Sequence, residues 1–145
     1  MATKKIIWAG IAGGIAFFLL GWLFYGILLA GFFEANAGTA TGVYREMDDM
    51  IMWAIFVGNL FTGFLLAIIM GSWSKVTTPL AGAKVGAIVG LLMTAGFDFT
   101  MYGASNLMTM TGGIGDIITM GVMSAIAGLV VAWVLGMGKK KEETT

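Results

Sequence analysis

Four apolar stretches, each longer than twenty residues, alternate with three polar breaks along this 145-residue chain. The first runs from Ile6 to Phe33, after a short lead carrying Lys4 and Lys5. The break EANAGTATGVYREM (34–47) follows, rich in Gly, Thr, Ala and Asn, which interrupt an apolar pattern. A second stretch reaches Trp73, and the turn Ser74–Pro79 separates it from a third that extends to Asn106. LMTMTGG (107–113) precedes the last stretch, and the chain ends on the polar KKKEETT. About 20 apolar residues are enough for a helix to cross a bilayer. The pattern therefore predicts four membrane-crossing helices, at roughly 5–33, 48–74, 79–106 and 114–138, with a polar tail at 139–145. Pro79 suits a first helical turn, and Asp48, Asp49 and Asp116 suit the positive ends of helix dipoles.

A secretory signal is the competing reading of the first stretch, because Ala35-Asn36-Ala37 has the form of a cleavage site. Its 28 apolar residues exceed the roughly 7–15 of a signal core, so a retained helix is expected. The distribution of cations then sets orientation. Lys4, Lys5, Lys75, Lys84 and Lys139–Lys141 fall at one end of the predicted bundle, and Arg45 alone at the other. By the positive-inside rule both termini are cytoplasmic. Trp8, Trp73 and Trp133 near the inner boundary, with Trp53 near the outer one, fit an aromatic belt.

Composition narrows the chemistry. The chain is 59% hydrophobic and 11% charged, with a mean hydropathy of +0.93. A soluble domain of this size could not bury that much apolar surface, so lipid is the expected solvent. There is no Cys and no His, which removes thiol chemistry, imidazole metal ligands and His-based triads. Net charge is zero and no basic stripe invites nucleic acid. GGIG at Gly112–Gly115 lacks the Lys and the strand of a phosphate loop. The expectation is a single non-enzymatic domain with no cofactor, in the cell (inner, cytoplasmic) membrane.

Small residues recur every four positions: Gly10 and Gly14; Gly63, Ala67 and Gly71; Gly82, Gly86 and Gly90; Ser124, Gly128, Ala132 and Gly136. Such ridges let helices approach closely in lipid, where the hydrophobic effect between helices is small. Packing within the bundle is the first reading. Their number also points to a subunit interface and a homo-oligomer. Phe24-Tyr25-Gly26 and Met101-Tyr102-Gly103 occupy matching positions in the first and third helices, as two parallel two-helix repeats would place them.

Asp98 is the candidate for function. An ionisable residue inside a membrane span is costly and marks a site by default. At 1.5 Å per residue it lies about 12 Å below the outer end of its helix, and Tyr25, Asn59 and Ser124 fall at about 12–17 Å. Thr94 and Tyr102 share the helix face of Asp98. These six residues are expected to form one intramembrane polar layer, with the first four facing the bundle interior together. No cation lies at that depth, and Arg45 reaches it only if the first loop folds down. Two readings compete: a hydrogen-bonded carboxyl that holds helices in register, and a proton- or cation-binding site open to the outer face. Outward methionines, Met108 and Met110 among them, offer soft thioethers to Cu(I), but thioethers also fill irregular cores and no metal site is expected. The acidic residues Glu34, Glu46, Asp48 and Asp49 read as a solvated rim before they read as a hard-cation loop.

LGWLFYG (20–26), GAKVGAIVGLL (82–92) and the acidic FDF (97–99) resemble small bacterial membrane proteins grouped as "domain of unknown function 1761". The resemblance implies a four-helix integral membrane fold and no activity or site residues. The sequence thus leads to a four-helix membrane bundle that is structural or accessory and self-associating, with room for an unidentified membrane protein partner, and with a small transporter or channel built around Asp98 as the alternative.

Overall fold

The first apolar stretch winds as helix α1 (Thr3–Gly21) and continues into a π-helical segment, Trp22–Leu28. The computed structural model, in which residues 1–138 are described, makes the chain an all-α four-helix bundle; the tail at 139–145 lies outside these residues. A break at Leu29 sets off the short helix α2 (Ala30–Ala35) from the first span. Met47–Asp49 form a separate 3-10 turn, so α3 starts at Met52 rather than at residue 48; it runs to Ile68 and closes in a second π-helical segment, Ile69–Trp73. Helix α4 (Pro79–Ala104) opens on its proline, which needs no N–H partner in the first turn. Helix α5 (Met110–Gly136) opens four residues before the expected 114. There the Thr109 hydroxyl accepts the Gly112 N–H at 3.1 Å, an N-cap that carries the helix through Gly112 and Gly113. The four spans Thr3–Leu28, Met52–Trp73, Pro79–Ala104 and Met110–Gly136 are each long and apolar enough to cross a membrane.

Small residues set the packing order α3–α1–α5–α4. A Cβ on Gly86 would strike the Ser124 carbonyl, one on Gly82 the Gly128 carbonyl and Ala132, and one on Gly90 the Ser124 side chain. The same holds where Gly63 meets Gly10 and Gly14, and where Gly136 meets the Thr77 carbonyl. The ridges that suggested an interface between subunits are therefore filled by neighbouring helices of the same chain. The Lys5 ammonium donates to the Met137 carbonyl at 2.5 Å, which holds both ends of the described chain at one end of the bundle.

The core is Ala9, Phe17, Leu66, Ala67, Met70, Met123, Ala127, Val131, Ala132 and Leu135. These fully buried residues come from α1, α3, α5 and the segment after α3, while α4 contributes only the half-buried Val85 and Val89 packed against them. Helix α4 buries only Gly82, Gly86, Gly90 and Asp98. Its large apolar residues, including Leu80 (70% exposed), Leu92 (69%) and Ile88 (58%), are left largely uncovered by the rest of the chain. In water this helix would be inside out; against lipid tails its exposed face costs nothing. Trp8, Trp53, Trp73 and Trp133 also stand on the outer surface, where an aromatic belt needs them.

Candidate functional site

Asp98 is the one buried residue of α4 that carries a side chain. It is 2% exposed, and its Oδ2 is buried without a hydrogen-bond partner. A buried polar atom normally has a partner, and an orphan asks for an explanation. Asp98 lies in the wall of a cavity of about 910 Å³.

The hairpin of α4 and α5 brings a second carboxylate to the same level. Asp98 stands six residues before Ala104, the last of α4, and Asp116 six residues after Met110, the first of α5. Both are about 9 Å from that end of the bundle. Asp116 also lines the cavity. The Tyr25 hydroxyl donates to Oδ1 of Asp116, and the Tyr25 ring packs on Phe33 with centroids 5.0 Å apart. Gly113 leaves room here: a Cβ on it would stand 3.9 Å from the Cβ of Asp98 and 3.2 Å from the Met108 sulfur.

A folded loop covers this end. Gly38 N–H donates to Leu107 O and Ala40 N–H to Asn106 O, each at 3.0 Å, and Ala37 bridges to Met108. Thr109 N–H returns to Asn36 O at 3.0 Å. Gly38 is required at this crossing, since a Cβ would strike the Asn106 carbonyl. Tyr44, Met50 and Glu34 line the cavity from this cover. The loop does fold down onto the bundle, but it brings Tyr44 rather than Arg45 to the cavity.

Of the six residues expected in one polar layer, Tyr25, Thr94, Asp98 and Ser124 line the cavity. Asn59 does not: its amide donates to the Ile55 carbonyl one turn back on α3, at 2.8 Å, so it is satisfied on its own helix. Tyr102 lies on the other side of Asp98, in a small recess with Phe99, Met110 and Gly113. Met108 lines the cavity and Met110 the recess. Among the described residues no three His, Cys, Asp or Glu side chains converge as metal ligands. Ser124 has its main contact with α4, against Gly90, where it fixes helix spacing as well as lining the cavity.

The residues that sequence reasoning missed are Asp116, Glu34 and the aromatic wall of Phe17, Phe33, Tyr44 and Phe97. Asp116 was legible in principle: Thr109 is a good N-cap residue, and starting the helix there puts Asp116 two turns deep. The cavity itself follows from pairing. Helices α3 and α4 are not packed against one another among the described residues. Thr62, Leu65 and Leu66 of α3 and Met93, Thr94 and Phe97 of α4 face across the space between them.

No family model, curated protein or solved structure matches this chain. The resemblance drawn from residues 20–26, 82–92 and 97–99 rests on those residues alone.

Proposed function

We propose that this is a multi-pass protein of the cell's inner membrane that binds a cation in the Asp98–Asp116 cavity and carries it across the bilayer. The observation that carries this reading is the buried, unpartnered Asp98 oxygen in the wall of a large cavity that, among the described residues, no Lys or Arg lines. A carboxyl that only held helices in register would have both oxygens satisfied and no space beside it. Burying a charge without a partner is expensive; a bound cation would supply the missing partner, and a proton would replace it when the cation leaves. Lysines at the terminal end support a cytoplasmic placement of both termini, which sets the carboxylates in the outer half of the membrane.

A structural or accessory role is the second reading. It gains least from the glycine ridges, because neighbouring helices of the same chain already occupy them. Self-association or a membrane partner would have to use another face, and α4 offers an exposed apolar one.

The test is proton release from purified protein in weakly buffered detergent as sodium, potassium, tetramethylammonium and tetraphenylphosphonium are added in turn, followed by uptake of any active cation into proteoliposomes. Saturable release that disappears in Asp98→Asn, with uptake, is expected. No release by any of the four would remove the cation-site reading.

A further inference from the structure

The cavity is far larger than an inorganic ion needs. At about 910 Å³ it lies at the upper end of sites that hold drug-sized molecules, roughly 300–1,000 Å³. Its walls are mostly apolar, with the rings of Phe17, Tyr25, Phe33, Tyr44 and Phe97 among them. Aromatic faces attract cations as well as apolar bodies. Among the described residues its ionisable acids and bases are all acids, Glu34, Asp98 and Asp116, with no Lys or Arg. Those three do not converge as a metal-ligand set, and a hard cation requires several oxygens around it.

The cavity also faces sideways. With α3 and α4 unpacked from each other, Met93 and Phe97 line the cavity while being 59% and 63% exposed. That rim lies within spans apolar enough to be surrounded by lipid. A molecule dissolved in the bilayer meets the cavity there without passing the loop cover formed by residues 36–40 and 106–109.

Resting on the cation-site reading above, we propose that the ligand is an amphiphilic organic monocation, an ammonium- or phosphonium-like charge on an aromatic or aliphatic body, which enters from the bilayer between α3 and α4 and sets its charge against Asp98 and Asp116. The apolar body fills the aromatic wall, and the charge neutralises a carboxylate whose Oδ2 has no hydrogen-bond partner.

The experiment compares two probes of one shape and opposite charge on the purified full-length protein. Tetraphenylphosphonium is expected to bind saturably, and tetraphenylborate at least about 30-fold more weakly, the scale of a buried charge pair broken on one side. Asp98→Asn is expected to remove most of the phosphonium's advantage. The comparison on the unaltered protein stands even if that variant fails to fold. Equal binding of the two probes would overturn the proposal and leave a cavity that takes up apolar bodies without reading charge. Binding of tetramethylammonium or sodium in preference to tetraphenylphosphonium would overturn the ligand class while leaving the cation site in place. No binding of any cation would remove both. Entry is tested by cysteines at Thr62 and Phe97, which stand alone because the chain has none of its own. Joining them with a bis-maleimide should slow phosphonium association about tenfold or more; an unchanged rate would overturn the lateral route.

Discussion

The Tyr25 hydroxyl donates a hydrogen bond to Oδ1 of Asp116, joining the π-helical end of the first span to the second turn of α5 across 91 residues of sequence. It holds one carboxylate of the pair in place, while the Oδ2 of Asp98 on α4 is left without a partner. The two carboxylates share a depth but differ in what satisfies them.

Removing the phenol tests the first half of that relationship. Tyr25→Phe should destabilise the bundle by about 1–3 kcal/mol, the cost of leaving a buried acceptor without its donor. In an Asp116→Leu background the same change should cost much less, since the bonded partner is already absent. Thermal unfolding of the four proteins in one detergent checks this; equal costs in both backgrounds would show that the bond contributes little.

Asp98 should behave in the opposite way. Replacing a buried, half-satisfied carboxyl by an apolar side chain of similar size removes a desolvation penalty. Asp98→Leu should therefore raise stability, by about 1–3 kcal/mol, while abolishing cation binding. Loss of stability together with loss of binding would mark Asp98 as a structural residue instead.

Cation binding should weaken as pH falls. A carboxylate holds the cation or a proton, not both, and the titratable groups that share the cavity with Asp98 are Asp116, Tyr25, Tyr44 and Glu34, none of them cationic. Where the site is mostly protonated, affinity should drop about tenfold per pH unit with one proton released per cation bound. Calorimetry in two buffers of different ionisation enthalpy measures both quantities. An affinity constant across acidic and neutral pH would separate binding from proton exchange.

The contact between α4 and α5 predicts a different phenotype. Gly86 meets the Ser124 carbonyl and the Gly128 Cα, backbone on backbone, so a methyl there cannot be absorbed by a side-chain rotation. Gly86→Ala should cost about 1–3 kcal/mol, as overpacking does. Gly96→Ala is the control, because a Cβ there meets nothing within 4 Å. Similar unfolding temperatures for the two variants would contradict the close approach.

The sequence by itself determined the four spans, because length and apolar content are local properties that lipid reads one helix at a time. It also carried the glycine ridges and the burial of Asp98, since a small residue every fourth position and a carboxylate within an apolar run are visible without a partner. Their consequences were not visible. Whether Gly82, Gly86 and Gly90 would meet another chain or α5 depends on which helices become neighbours. Asn59 and Asp98 look alike as polar residues at one depth, yet the amide finds its own backbone carbonyl while the Asp98 Oδ2 finds none. The role of Asp116 turned on where α5 begins, which the Thr109 hydroxyl decides against two glycines that read as breakers. The cavity depended wholly on tertiary structure: it exists because α4 is held through α5 and leaves α3 unpaired. Helix formation is set within a span, but the space between helices is set by which pairs pack.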